Sequence, residues 1–181
     1  MLWGSALAAL PGSKLLLKGK AYRNVQSRES LFRVLAQGGI APDRVELRHD
    51  SPSLEEHLAQ YNDIDIALDT FPYNGTTTTC EALWMGVPVV TLAGARHAGR
   101  VGASLLGILG HPEWVTENRE NFTEACVRLA MDRDRRRTLR KSLREEVLAS
   151  RLMDEAGFVE SLEAFYQSAW QERCDREAGS L

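Results

Sequence analysis

The fold is decided by residues 65–91, which read DIALDTFPYNGTTTTCEALWMGVPVVT. The pattern predicts a buried strand at residues 64–68, a loop, a helix at residues 76–85 that opens on four threonines, and a second apolar strand at residues 87–92. A strand, a helix and a further strand in this order form a crossover unit of a parallel sheet. Ligands of such sheets bind beyond the carboxyl ends of the strands, where this helix is expected to begin.

The rest of the chain continues the alternation of strands and helices. Further strands are predicted at residues 14–18, 45–48 and 113–115. Further helices are predicted at residues 2–10, 30–37, 53–61, 99–109, 119–131, 134–149 and 154–174. We therefore expect one α/β domain, with a Rossmann-like parallel sheet of about five or six strands in three layers. Within this single lobe, the expected divisions are an α/β core (1–117), C-terminal helices (118–176) and a disordered tail (177–181).

The threonine run at residues 76–79 is an unusual way to begin a helix. Threonine is a poor helix-interior residue, but at a helix start each hydroxyl lies beside a free backbone N–H group. Asn74 and Gly75 allow positive φ angles, which would let the chain turn tightly into the helix. One interpretation is helix capping by Thr76 or Thr77, which would explain a single threonine. The other is an anion site, most often for phosphate, which would explain the whole run, including Thr78.

Other polar residues are expected near the same edge of the sheet. Glu81 lies one helical turn past Thr77, where it either binds ribose hydroxyls or responds to the helix dipole. His57 either stacks on a nucleobase or is an ordinary half-buried histidine. The loop after the next strand contains Arg96, His97 and Arg100. These residues either contact phosphate or sugar or merely cap their loop, and they are the last members of the candidate site.

Composition excludes several classes of protein. The net charge of −3 in 181 residues gives no basic field for nucleic acid, and no segment is apolar enough to span a membrane. Residues 1–10 faintly resemble a signal peptide but lack a positive start, so a cytoplasmic protein is expected.

Three distant cysteines show no metal-ligand spacing, and no metal or cofactor is expected. The charge run at residues 132–137 is interpreted as the solvated start of a helix. A dinucleotide oxidoreductase is disfavoured because neither G-x-G-x-x-G nor a P-loop is present.

Residues 70–91, followed by residues 94–106, resemble the C-terminal catalytic half of protein O-linked N-acetylglucosamine transferases. The resemblance is greatest to bacterial, Spindly-like members that carry tetratricopeptide repeats. The Asn-Gly-x-Thr-Thr helix start followed by Leu-Trp-x-Gly-x-Pro is the specific part. Residues 3–17, the Glu55-Glu56-His57 sequence and the terminal helix support it, so that the resemblance covers about residues 2–174.

This resemblance implies a GT-B glycosyltransferase, in which the C-terminal lobe of two holds the UDP-sugar donor, here UDP-N-acetylglucosamine. It implies that His57 packs on uracil and that Thr77 and Thr78 hold the diphosphate. Thr76 stands where animal members have histidine, and Glu81 replaces an aspartate that binds ribose.

Two departures affect the nucleoside pocket: Leu54 replaces a ribose-binding lysine of animal members, and Gln60 replaces an arginine. The N-terminal lobe, the repeats that would receive a protein acceptor, and the lysine that neutralises the leaving diphosphate have no counterpart in these residues. No catalytic residue is therefore assigned, and the chain is expected to be an excised or truncated lobe that is inactive alone. The alternative is a nucleotide-binding or interaction module without catalysis.

Overall fold

The computed structural model describes residues 2–178 and gives five short strands and eight α-helices within that range. The strands are β1 (Leu15–Lys18), β2 (Val45–Arg48), β3 (Ala67–Asp69), β4 (Val89–Leu92) and β5 (Val115–Thr116). The helices are α1 (Leu2–Ala9), α2 (Val25–Gln37), α3 (Leu54–Ala59), α4 (Thr77–Trp84), α5 (Val101–Ile108), α6 (Arg119–Met131), α7 (Arg133–Ala149) and α8 (Glu155–Ala178). The predicted α/β class is confirmed.

All strand pairs are parallel, but they form two ladders rather than the single sheet we expected. β1 pairs with β2, and β4 lies between β3 and β5. A groove of about 810 Å³, lined by residues of both β1 and β3, separates the two ladders. Leu68 of β3 packs against the apolar clusters of both ladders. Side-chain packing, rather than backbone hydrogen bonding, therefore joins the two halves.

Helix α2 begins at Val25 rather than at residue 30 as predicted. The reason is Asn24, whose side-chain oxygen accepts hydrogen bonds from the backbone N–H groups of Gln26 (2.8 Å) and Ser27 (3.3 Å). These bonds satisfy two of the N–H groups that every helix start leaves free. Asn24 therefore nucleates a first turn that the apolar pattern does not show.

Two further boundaries differ because short 3-10 turns replace part of the predicted elements. The helix expected at residues 53–61 ends as α3 at Ala59 and continues as a 3-10 turn at Gln60–Asp63. The strand expected at residues 113–115 begins two residues later because Pro112–Trp114 forms another such turn.

The main core surrounds β4, whose first three residues are buried. Helix α6 packs against β4 and β5, while α1 packs on α6 and α7 on α4 and α6. The largest side chains that are fully buried in this core are Phe122, Leu83, Leu106, Leu139 and Leu143. Burying each contributes about 1.5–3 kcal/mol relative to leaving it exposed, so this cluster holds the helices on the ladder of β4.

Helix α7 is attached to the end of α4 through Arg140. Its guanidinium donates hydrogen bonds to the backbone oxygens of Tyr61 (3.1 Å), Met85 (2.9 Å) and Ile64. Gly86 ends the α4 turn with φ of +75°, and a Cβ there would lie 2.5 Å from the Arg140 backbone oxygen. The two backbones can approach this closely only because residue 86 is glycine.

His111, for which the sequence indicates no partner, is buried between two carboxylates. Nδ1 lies 3.0 Å from Glu113 Oε1, and Nε2 lies 2.8 Å from Glu146 Oε2 on α7. Its ring stacks on Trp114 with a centroid distance of 3.9 Å. Burial raises the pKa of Glu146, but hydrogen bonds from Ser142 and His111 outweigh this effect, so that the pKa is lowered.

Helix α8 presents an apolar stripe that no other described residue covers. The large exposed side chains of this stripe are Phe158, Leu162, Phe165, Tyr166 and Trp170. Residues 177 and 178 continue α8, and the remainder of the tail expected at residues 177–181 lies outside the described residues. Among residues 2–178, none of the helices combines the length and apolar character that a membrane crossing requires.

Replacing Gly86 by alanine is expected to lower the free energy of unfolding by about 2–4 kcal/mol. The reason is that alanine is strained in the left-handed backbone conformation of residue 86 and that its Cβ would clash with the backbone of α7. Urea unfolding would measure this loss. Gly107→Ala is the control because a Cβ there meets nothing within 4 Å. That variant should gain roughly 0.5–1 kcal/mol from helix propensity. Equal stability of the two variants would contradict the close approach of α7.

Glu146→Gln tests the contact with His111 through its pH dependence. Because the folded-state pKa of Glu146 lies below its ordinary value of 4.5, the charged form adds stability above that pH. This contribution is lost as pH falls through the lower folded-state value. The variant should lose less than about 1 kcal/mol at pH 7, since its carboxylate is partly exposed, and should show a shallower loss of stability in acid. The control is Glu145→Gln, which replaces an exposed glutamate. In urea unfolding measured at a series of pH values, this variant should lose stability in acid as the wild type does.

Candidate functional site

The loop between β3 and α4 is held by the buried carboxylate of Asp69. Oδ1 accepts the Gly75 backbone N–H at 2.7 Å, and Oδ2 accepts the Thr91 hydroxyl at 2.8 Å. Burial raises the pKa of Asp69, while the hydrogen bonds from Gly75 and Thr91 oppose the rise. Asp69 therefore fixes the start of the threonine run relative to the carboxyl end of β4.

Asn74 and Gly75 shape this loop from behind. The fully buried Asn74 donates its N–H to the Ala98 backbone oxygen (2.8 Å) and accepts the Gly102 N–H at Oδ1 (3.4 Å). Neither Asn74 nor Gly75 has the positive φ that we expected. A Cβ at residue 75 would press against the hydroxyls of Thr78 and Thr79, so a larger residue there would force these side chains to move. Asn74 thus joins the threonine loop to the loop that precedes α5.

The threonine run divides into inward and outward members. Thr79 donates its hydroxyl to the Gly75 backbone oxygen at 3.0 Å and is buried. Thr76 occupies the N-cap position of α4, but its side chain makes no capping hydrogen bond, so the capping explanation fails for this residue. Thr76, Thr77 and Thr78 are exposed at the helix start. Three hydroxyls beside free helix N–H groups are thus open to a ligand.

His57 and Glu81, which we considered separately from the sequence, contact each other. His57 Nε2 lies 2.9 Å from Glu81 Oε2, and the Tyr61 hydroxyl donates to the same oxygen at 3.0 Å. Tyr61 also meets the imidazole edge-on, with a centroid distance of 6.0 Å and an interplanar angle of 87°. Burial, followed by the hydrogen bond to Glu81, raises the pKa of Tyr61.

Lys18, which the sequence interpretation missed, reaches the other side of His57. Its Nζ lies 2.6 Å from His57 Nδ1 and 2.7 Å from Ser51 Oγ, which also accepts from Gln60 Nε2 at 2.8 Å. Burial lowers the pKa of Lys18, and the charge of Glu81 partly opposes this. A signal was available, because Lys18 ends a predicted strand and the carboxyl ends of parallel strands share one edge.

The second loop lies beside the first but presents fewer fixed groups. Arg96, His97 and Arg100 are all exposed around the 3-10 turn His97–Gly99. Arg100 donates to the Gly94 backbone oxygen at 3.2 Å, as expected of a residue that caps its own loop. Within residues 2–178, no side-chain hydrogen bond holds Arg96 or His97. A role of these three residues in ligand binding stays a prediction.

Chemically, the site offers donors to an anion at the α4 start and a flat, partly exposed imidazole beside a carboxylate. This combination suits a nucleoside diphosphate, which has two anionic groups, a sugar with hydroxyl donors and an aromatic base. Leu54, which by the resemblance replaces a ribose-binding lysine of animal members, is exposed. Across residues 2–178, no group of His, Cys, Asp and Glu side chains is arranged to hold a metal ion.

Comparison with known proteins gives one family. Residues 1–162 match the model of glycosyl transferase family 41. The probable UDP-N-acetylglucosamine–peptide N-acetylglucosaminyltransferase SPINDLY of Solanum lycopersicum is 41% identical over 99% of this chain and 19% of its own length. The UDP-N-acetylglucosamine–peptide N-acetylglucosaminyltransferase of Caenorhabditis elegans is 30% identical over 94% of this chain and 14% of its own length.

A solved structure agrees with the sequence matches. A Thermobaculum terrenum O-GlcNAc transferase mutant superposes with a TM-score of 0.87 and 40% identity, over 96% of this chain and 33% of that one. The chain thus spans about a fifth of the length of the curated plant relatives and a third of this bacterial structure. Family model, relatives and fold agree, and the chain belongs to glycosyl transferase family 41.

Proposed function

We propose that this chain is the donor-binding lobe of a glycosyltransferase that transfers N-acetylglucosamine from UDP-N-acetylglucosamine to protein Ser or Thr hydroxyls. The observation that carries the proposal is the exposed threonine start of α4 beside the His57–Glu81 pair, at the carboxyl edge of the strands. The names of the relatives supply the donor and the peptide acceptor.

In this proposal each part of the donor has its own partner. Thr77, Thr78 and the helix dipole hold the diphosphate, with Thr76 beside them. The imidazole face of His57 stacks on uracil, and Glu81 accepts hydrogen bonds from ribose hydroxyls. The exposed second loop, which contains Arg96, His97 and Arg100, is joined to the threonine loop by the hydrogen bond from Asn74 N–H to the Ala98 oxygen, and it is proposed to approach the phosphates.

The acceptor and the catalytic groups are proposed to lie outside these 181 residues. The carboxylate of Asp69 is buried with both oxygens accepting hydrogen bonds, and Glu81 is assigned to the ribose hydroxyls, so the proposal leaves neither as the catalytic base. The uncovered apolar stripe of α8 fits a further lobe of the same enzyme. We propose the divisions 1–117 for the α/β core and 118–176 for the C-terminal helices.

The same stripe of α8 also favours the second candidate, a module that binds a nucleotide and a partner without catalysis. The two candidates differ in one outcome, which is transfer of sugar when the N-terminal part of a family member is supplied.

UDP should bind the isolated chain with a Kd between the upper micromolar and millimolar range, about −4 to −6 kcal/mol, because half of the cleft is proposed to be elsewhere. Replacing Thr77 and Thr78 together by valine keeps their shape but removes two hydroxyl donors. This should weaken UDP binding by roughly 1–3 kcal/mol. NMR titration of the backbone amides would measure both values.

The matched control for that titration is Thr138→Val, an exposed threonine on α7 whose loss should leave the UDP affinity unchanged. In the wild type, the amides of residues 74–79 should shift as UDP is added. If they shift with NAD or ATP but not with UDP, the assignment of the donor is wrong.

The isolated chain should transfer no sugar to protein at saturating UDP-N-acetylglucosamine, because it supplies one side of a two-lobed site. Adding the N-terminal part of a family member, in cis or as a separate chain, should restore transfer of labelled sugar to a Ser- or Thr-containing peptide. Turnover by the isolated chain that is lost in Thr77→Val would show instead that this lobe is a complete enzyme. Donor binding without transfer in any combination would favour the non-catalytic module.

A further inference from the structure

Lys18 lies at the end of β1, at the edge of the strands where the candidate site is built. Its ammonium group makes two short contacts, 2.6 Å to His57 Nδ1 and 2.7 Å to Ser51 Oγ. The site described above uses the face of His57 and the carboxylate of Glu81, and gives Lys18 no part. Lys18 is therefore a charged group in contact with the site that still lacks a role.

The contacts of Lys18 determine where the proton of His57 resides. A protonated lysine has three donors and no acceptor, so His57 Nδ1 must accept. The ring proton of the neutral imidazole is then on Nε2, which donates to Glu81 Oε2 at 2.9 Å. Both ring nitrogens are therefore engaged, and Tyr61 meets the ring edge-on. Rotation of the ring would break at least one of these contacts.

We propose that Lys18 is a positioning residue of the donor site, which fixes the tautomer and the plane of His57 so that the imidazole face is presented to the nucleobase. This inference rests on the proposed function, since it assumes a base on that face. Lys18 does not need to touch the donor itself.

Glu81 depends on the same arrangement. Its Oε2 accepts from His57 and from Tyr61, whereas Oε1 makes no hydrogen bond to any residue in the described part of the chain. With Oε2 held on two sides, Oε1 has a fixed direction in which to accept a sugar hydroxyl. Loss of Lys18 would free the ring and thereby remove one of the two groups that orient the carboxylate.

The test compares Lys18→Met with Lys18→Arg and Lys20→Met in the full 181-residue chain. Lys18→Met keeps a long apolar side chain but removes the donor, Lys18→Arg keeps a charged donor, and Lys20→Met removes an exposed lysine nearby. Two quantities are measured, the ¹⁵N shifts of the His57 ring nitrogens without ligand and the Kd for UDP.

In the wild type and in Lys20→Met, the shifts should identify Nε2 as protonated and Nδ1 as an acceptor. In Lys18→Met, Nδ1 should lose its acceptor shift, and the affinity for UDP should fall roughly fivefold to tenfold, the size of one ordinary hydrogen bond. Lys18→Arg should restore the ring shifts and most of the affinity.

The two measurements separate this inference from the proposed function. If the wild type binds UDP but Lys18→Met changes neither the ring shifts nor the Kd, the role of Lys18 is refuted and the donor site stands. The role is equally refuted if the shifts change while the affinity does not. If the wild type does not bind UDP at all, the proposed function fails, and the assumption of a base on His57 fails with it.

Discussion

The buried carboxylate of Asp69 is the constraint on which the site depends. Burying a charged group costs several kcal/mol unless it is hydrogen-bonded, and Asp69 meets this requirement through Gly75 and Thr91. These two bonds connect the end of β3 with the threonine loop and with β4. The same carboxylate also limits how α5 packs. A side chain at residue 102 would collide with it, so α5 can approach only because residue 102 is glycine. One carboxylate thus fixes four elements around the helix start.

Local patterns predicted most of the fold, since the alternation of apolar strands and helices and the threonine start of α4 are properties of neighbouring residues. The separation of β1 from β3 could not be predicted, because it depends on how Leu68 packs between two cores. In the site, His57 and Glu81 were found as single residues, whereas their contact was not. Lys18 contacts His57 across 39 residues of sequence, a distance that no local pattern spans.

Helix α8 shows how a long helix can form without packing on the described residues. Its last turns carry ion pairs between Arg173 and Glu177 (3.0 Å) and between Arg176 and Glu172 (3.8 Å). Each exposed pair of this kind contributes only about 0.3–0.5 kcal/mol, but length and helix propensity add to it. The apolar stripe contributes nothing to stability while it remains in water. The helical spacing of these apolar residues stabilises the protein only if a further surface covers them.

Charge balance supports the proposed division, in which this lobe binds the donor and the catalytic groups lie elsewhere. A helix start contributes roughly half a positive charge, and threonine hydroxyls contribute only dipoles, whereas a diphosphate carries at least two negative charges. In the proposed function, the ammonium group of Lys18, which contacts His57 and Ser51, acts on the nucleoside end of the site. Arg96 and Arg100 are exposed on a loop and therefore strongly hydrated. In the proposed reaction, departure of UDP would add negative charge to the diphosphate, and a cation in a site from which water is excluded would stabilise that charge. We propose that this lobe orients the donor, while the remaining positive charge comes from the group that closes the cleft.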